Sequence, residues 1–494
     1  MKSGVSFSRL VGFLGLMLAN VLNSNAQTNI SSYPFEMQFN SSGYNPAFLD
    51  SPNKFTFSIF PLGGTSIGYN NQQTIKELVS KVASGLTTDQ DYKDVLQSLA
   101  NKSSFHQSIE SSLLSFTYKT VYGSFNFRIN ENENFMTRIN GNVSTFIIKE
   151  GIQSTEVNQS QYLPAQAMHY REYSLAYSTP TYRHRFKAGI RAKMYFGKSS
   201  FFSDISGIIQ NDAGNYFLRT SGKVNISAPE VKTTSNDGTS NSISLFTGSN
   251  VLDYMMNSNN RGFGFDLGFK YRLGPRLSFT MSMIDFGKIS WKSNLNSKYM
   301  TGEYEIETPV VPSISETGVE TITKTIDQGS ISESISSIFN LAYDHSEFTT
   351  TMPLSVYSGL SYRLNPKVQL NLLNRFVSVP NMSYNTSSVT VSFDLNESLS
   401  VNAGYAIVGN SYNNIPLAVL FRKDFGQIFL GTDNLAAFLL PGLSDFAGFS
   451  FGTCFYIFKK RDVYKPVVES YPYYKPRKYS KNSKGLIKNV NWEL

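Results

Sequence analysis

One stretch constrains the fold more than any other. Phe263, Phe265, Leu267, Phe269 and Tyr271 fall on one side of a two-residue period, and Gly264, Asp266, Gly268 and Lys270 on the other. A period of two is that of a β-strand with unlike faces. The pattern recurs along the chain. Phe55, Phe57 and Ile59 alternate with small polar residues, as do Leu114, Phe116 and Tyr118, then Phe125, Phe127 and Ile129. Tyr173, Leu175 and Tyr177 lead into the stretch 188–196, and Leu277, Phe279, Met281 and Met283 follow the turn Gly274-Pro275. Val356, Ser358, Leu360 and Tyr362 cross Asn365-Pro366 into Val368, Leu370 and Leu372, and the ranges 389–395, 399–407, 415–421, 427–432 and 446–458 close the series.

What lies opposite the apolar face narrows the class. It is mostly Gly, Ser, Thr and Asn, whereas a water-soluble sheet would carry charge there. Charged residues make up 16% of the chain and aromatic residues 14%, with 29 Tyr and 38 Phe; a soluble protein carries about 25% charged residues. After the first residues no apolar run approaches the ~20 residues of a membrane helix. These features predict an all-β fold, a transmembrane antiparallel β-barrel that presents every second residue to lipid. A soluble β-sandwich or propeller pair is the alternative. Some connectors are tight (Gly274-Pro275, Asn365-Pro366, Asp424-Phe425-Gly426), others long and Ser/Thr/Asn-rich (227–241, 309–330), the unequal ends of an outer-membrane barrel. The strands number 14 to 18, and 14 is the expected even count.

Residues 1–26 read as a secretory signal: Lys2 and Arg9, an apolar run over 10–22, and Ala26 before Gln27 as the cleavage point. The expected address is the bacterial outer membrane. No cysteine stands near the cleavage point, which excludes lipoprotein processing, and the one cysteine, Cys454, can form no internal disulfide. Residues 27–53 form an N-terminal plug-like segment and 54–458 the barrel. Two short helical insertions are expected at about 74–100 and 332–343, where apolar residues take helical spacing. They cap the mouth, lie at the membrane surface, or pack on themselves.

The net charge of +8 is unevenly placed. Loss of Lys2 and Arg9 with the signal leaves +6, and residues 459–494 hold ten Lys/Arg against three Asp/Glu, or +7. The mature body is therefore about −1. In this tail Tyr471, Tyr473 and Tyr474 interleave with Lys475, Arg477 and Lys478, while Pro472 and Pro476 oppose a helix. Following the last strand, the tail belongs in the periplasm, where nucleic acid is excluded as a partner. It would meet an envelope protein, anionic lipid or the cell wall, or stay solvated.

Asn45-Pro46-Ala47 stands between the signal and the first strand. Proline fixes φ and biases Asn45 to extended geometry, the Asn amide can bond backbone groups inside a lumen, and Ala47 permits close approach. A simple turn into the first strand is the other reading. The element resembles the N-terminal hatch of FadL-like fatty-acid transporter barrels. It also resembles the Asn-Pro-Ala start of the PorV and PorP/SprF barrels of type IX secretion and gliding in Bacteroidota. The run Gly431-Thr432-Asp433-Asn434-Leu435, followed by a hairpin into 446–458, is similar to the last strands of those barrels. A related Bacteroidota family without assigned function is the match these residues suggest. The resemblance implies a plugged barrel that binds or passes a hydrophobic small molecule, with Asn45, Pro46 and Ala47 as plug residues. The alternative is a non-catalytic docking barrel in a type IX secretion or gliding assembly, held through the tail. An apolar pocket behind Asn45-Pro46-Ala47 would favour transport, and a filled lumen docking. Basic extension and long loops depart from FadL proper.

Enzyme chemistry finds little purchase. Gly64-Thr65-Ser66-Ile67-Gly68 matches the G-x-S-x-G pattern, but that motif needs a strained strand-to-helix elbow, and here it falls in or beside a strand. His106, His169, His184 and His345 lack metal-ligand spacing, and no phosphate-cradling loop or cofactor motif is present. In the last strand Phe449, Phe451, Phe455 and Ile457 are expected to face lipid, and Ser450, Gly452, Cys454 and Tyr456 the lumen.

Overall fold

A computed structural model describes residues 29–457 except 37, 51–52, 72–103, 139–159, 182–184, 213–214, 229–231, 237–239, 245–253, 296, 300–301, 307–341, 380–381, 410, 441–443 and 445. The wall begins with β1 (Phe55–Ile59) and β2 (Thr65–Asn71), two halves of one strand. It continues through β3 (Ser104–Thr120), β4 (Gly123–Arg138), β5 (Ser160–Ser178) and β6 (Phe186–Asp212). Next come β7 (Asn215–Ser227), the separate hairpin β8 (Lys232–Asn236) and β9 (Ser240–Ser244), β10 (Asn260–Arg272) and β11 (Leu277–Trp291). The short strands β12 (Ser297–Tyr299), β13 (Gly302–Ile306), β14 (Ala342–Asp344) and β15 (Phe348–Thr351) precede β16 (Leu354–Asn365) and β17 (Val368–Val379). The chain ends the sheet with β18 (Met382–Asp394), β19 (Leu399–Val408), β20 (Ser411–Asn414), β21 (Leu417–Lys423), β22 (Gly426–Thr432) and β23 (Phe446–Ile457).

Each wall strand pairs antiparallel with the next: β1/β2, β3, β4, β5, β6, β10, β11, β16, β17, β18, β19, β21, β22 and β23. The circuit closes where Phe55, Thr56 and Phe57 pair with Ile457, Tyr456 and Phe455, and Ser66 with Ser450. It is a barrel of 14 strands, so no wall strand keeps a free edge. β6 outruns β10 by half its length; its far half pairs with β7, which pairs in turn with β12 and β13, extending the wall at one end.

The two faces are inverted relative to a soluble protein. Phe127, Leu175, Ile190, Phe263, Val389 and Leu430 are exposed outside, while Arg128, Glu172, Arg191, Asp266, Thr390 and Asn402 are buried inside. An apolar exterior around a polar interior is the arrangement that alternation in a lipid-facing barrel requires, and it disposes of the soluble sandwich. In β23, Phe449, Phe455 and Ile457 are exposed and Phe451 half-exposed, whereas Ser450, Gly452 and Cys454 are buried and Tyr456 half-buried. Tight turns at 121–122, 273–276, 366–367, 395–398 and 424–425 all lie at one end of the barrel.

The helical expectation needs one correction. Ala342 and Tyr343, the end of the expected helix over 332–343, lie in β14, where Ser297–Tyr299 supply pairing partners that a short amphipathic turn cannot match. Residues 332–341, the insertion over 74–100 and the tail over 458–494 lie outside the described residues.

Candidate functional site

The described residues of 29–50 do not join the wall; they lie inside it. Ile30, Ser31, Ser32, Ser41, Ser42, Asn45, Ala47, Phe48 and Leu49 are all buried, against wall strands far away in sequence. A chain enclosed by a barrel must satisfy its backbone groups locally or on the wall. This segment does both. Short turns pair Phe35 N–H with Ser32 O, Gln38 N–H with Phe35 O and Phe48 N–H with Asn45 O.

Asn45, Pro46 and Ala47 stand in its tightest stretch. Proline opens the 3-10 turn Pro46–Phe48, where its missing N–H costs nothing. Asn45 caps that turn, its backbone extended at φ −153° and its Oδ1 accepting from Ala47 N–H at 2.9 Å. Its Nδ2 reaches the wall, donating to Phe269 O at 3.3 Å on β10 and Met281 O at 3.4 Å on β11. Two wall glycines make this approach possible. A Cβ on Gly189 would stand 2.2 Å from the Pro46 carbonyl carbon, and one on Gly268 2.1 Å from Asn45 Oδ1.

The lumen has two unlike sides. From β4 to β11 it is ionic. Asp266 lies at the centre, its Oδ2 taking Lys193 Nζ at 3.0 Å and Arg191 Nη1 at 3.3 Å and its Oδ1 accepting from Asp285 N–H at 2.8 Å. Lys193 also meets Asp285 at 2.5 Å and Glu172 at 3.4 Å. Asp285 has φ +64°, and the β10–β11 register shifts between Phe265 and Leu267. A bulge that re-aims a side chain is a recognised use of such a shift, and here it turns the Asp285 carboxylate onto Lys193. The segment joins this network through Ser42, whose hydroxyl accepts from Arg128 at 3.2 Å and Arg191 at 3.1 Å.

From β16 to β23 the lining is more apolar. Tyr33 stacks on Tyr357 with centroids 5.4 Å apart, and it meets Phe48 edge-on at 5.3 Å. Around them Ile30 packs with Leu373, Ala406 and Phe446, and Phe35 with Ala418, Leu420 and Phe429. At either end the segment is tied by charge. Asp433 accepts from Ser31 N–H at 2.8 Å, from Ser31 Oγ at 2.7 Å and from Asn29 N–H. Burial pushes the Asp433 carboxyl up and these hydrogen bonds pull it back. Glu36 pairs with Lys270, and Asp50 with Lys119 at 2.6 Å and Lys187 at 3.6 Å.

Between the segment and β3, β4 and β17 lies a cavity of about 80 Å³, bordered by Tyr44, Glu110, Asn132, Tyr170, Tyr357 and Arg375. This space is polar, and Asn45, Pro46 and Ala47 do not line it. Ser66 lies inside β2, away from any strand-to-helix elbow, and its hydroxyl donates to Asn29 Oδ1 at 2.9 Å. Among the described residues no group of His, Cys, Asp and Glu is placed to hold a metal ion.

Sequence reasoning missed Arg128, Glu172, Arg191, Lys193 and Asp285. The signal was there, since Arg191 and Lys193 alternate with Ile190, Ala192 and Met194 in a chain otherwise poor in charge. Their partners were not, because each stands on a different strand.

The family described as "Family of unknown function (DUF5723)" matches residues 46–433. No curated protein sequence matches the chain. Among solved structures, the Ralstonia pickettii toluene transporter TbuX aligns at 10% identity and TM-score 0.37, covering 84% of this chain and 92% of that one. The Pseudomonas putida toluene transporter TodX aligns at 8% and 0.37, covering 88% and 94%. The translocator domain of autotransporter NalP from Neisseria meningitidis aligns at 6% and 0.27, covering 83% and 90%.

Proposed function

From the premise that this chain belongs to DUF5723, a family of unknown function, we propose that it is an outer-membrane barrel for small-molecule passage, closed by its own segment 29–50. The apolar exterior supports the membrane address. The observation that carries the gating is that the ionic wall is complete without the segment. Arg191 and Lys193 pair with Asp266, and Lys193 also with Asp285 and Glu172, so withdrawal of Ser42 leaves these wall ion pairs in place.

A hydrophobic cargo is the finer form of this reading. It draws support from the opposite side, where Tyr33, Phe35 and Phe48 cover an apolar strip of Ile284, Tyr357, Leu373, Leu420 and Phe429. Withdrawal bares that strip, and an apolar molecule would then occupy the place the plug's rings hold at rest. The test is conductance of the full chain in planar bilayers. The native barrel is expected to stay nearly closed, and Asn45→Ala to open far more often. Equal conductance in the two would refute gating by this segment.

A second reading has its own observation. The segment 29–50 occupies the lumen, which suits a docking barrel in a Bacteroidota secretion or gliding assembly, with Tyr471, Tyr473, Tyr474, Lys475, Arg477 and Lys478 of the tail holding a periplasmic partner. Deletion after Lys460 is then expected to leave a folded barrel that loses its co-purifying envelope proteins. An unchanged set of proteins would refute it.

A further inference from the structure

We propose that the tight-turn end of the barrel is a collar for the phosphate headgroups of anionic phospholipid in the leaflet it meets. The proposal rests on the membrane reading above and goes beyond it.

Turns in water are usually built from Gly, Pro, Asn, Asp and Ser. Here exposed apolar residues stand in or directly beside each turn, next to such residues. Val121 and Tyr122 are 82% and 79% exposed, and Leu273, Leu364, Leu395 and Phe425 are each about half exposed. Four of these five turns also carry cations beside the tip. Lys119, which also pairs with Asp50 at 2.6 Å, flanks the first, Arg276 the second, Arg363 and Lys367 the third, and Lys423 the last. The acids on the same turns are fewer, Asp394, Glu397 and Asp424, and Asp394 is held by Arg422 at 3.5 Å.

An apolar tip beside a long cationic side chain has a defined use at a bilayer surface. The tip enters the headgroup zone, and the Lys or Arg stem lies along it with its charge among phosphates. The distribution selects lipid over a protein partner. These turns join β3 to β4, β10 to β11, β16 to β17 and β21 to β22, so the pairs of tip and cation surround the barrel. A leaflet meets the whole circumference, whereas a docked protein meets one sector of it.

The test uses the full chain in phosphatidylcholine vesicles with and without phosphatidylglycerol, comparing spin-labelled forms of the two lipids at the protein boundary. Phosphatidylglycerol is expected to be enriched about fivefold, the size of one surface cation's attraction to an anionic leaflet. High salt should reduce the enrichment towards parity. So should the combined variant Arg276→Gln, Arg363→Gln, Lys367→Gln and Lys423→Gln, with heat-modifiable gel migration retained. If that variant does not fold, the salt series on the native chain and Lys423→Gln alone decide the matter. No enrichment in the native chain, or enrichment unchanged by neutralisation and salt, overturns the proposal. Loss of enrichment on removing residues 459–494 with the collar intact overturns it too. A native chain that fails to enter either vesicle overturns the membrane reading itself.

Discussion

Asp266 joins the ionic side of the lumen together, because it alone touches Arg191, Lys193 and the backbone of Asp285. Asp266→Asn removes one charge and leaves two buried cations to share Glu172 and Asp285. Breaking a buried pair on one side costs about 3–5 kcal/mol. The variant is therefore expected to unfold at clearly lower urea, followed through Trp291, which is fully buried between β11 and β15. An unchanged midpoint would mean that water already serves these cations. Asn45 makes a finer test. Asn45→Asp keeps the oxygen that caps Ala47 but points a carboxylate at the carbonyls of Phe269 and Met281. It is expected to raise conductance at least as much as Asn45→Ala. Closure retained in Asn45→Asp would show that the cap alone fixes the segment.

Among the elements, the 3-10 turn Pro46–Phe48 and the strands β6 and β10 form one unit, and the wall's part in it is the absence of side chains. Gly189→Ala or Gly268→Ala puts a methyl where the Pro46 carbonyl or the Asn45 amide now lies. Strand geometry tolerates alanine, so the wall should persist and the segment should move. The expected outcome is a folded, heat-modifiable barrel with raised conductance and protease-sensitive bonds near residue 46. A closed, protected barrel would place the segment's hold elsewhere, in Tyr33 and the Glu36–Lys270 pair. These glycines could be read from the sequence as small residues on an inner face, but not as the seat of a turn some 140 and 220 residues earlier. That contact is set by barrel closure, which no local period encodes.

At the scale of the whole molecule, the segment and the last strand report on each other. Phe39 N–H donates to Gln427 Oε1 at 3.1 Å, and Gln427 pairs in register with Cys454, which is 1% exposed. A water-soluble maleimide is expected to leave Cys454 unlabelled in the native barrel and to label it in Gly268→Ala. Rapid labelling of the native protein would mean an open lumen, and labelling only by a lipid-soluble reagent would mean a reversed register.

The sequence by itself determined the class of fold and the sidedness of its strands. Alternation with a period of two is local, and a chain whose apolar face is aromatic and whose other face is Gly, Ser, Thr and Asn has a stable place only around a lumen. Phe449, Ser450 and Cys454 took their faces from that rule, as did most of the wall. Turns and length narrowed the strand count to 14–18, with 14 the expected even number, and the pairing of the first strand with the last fixed it at 14. The helical end at 342–343 was misread because an apolar period over so short a stretch cannot outweigh an available strand partner. Only the tertiary structure decided what fills the barrel. Strand pairing set Arg191 of β6 opposite Asp266 of β10, and the β10–β11 bulge turned Asp285 to meet Lys193. Each is an ordinary polar residue in its own strand; the ion pairs exist because neighbouring strands found their register, and Ser42 of the segment joins them through Arg128 and Arg191.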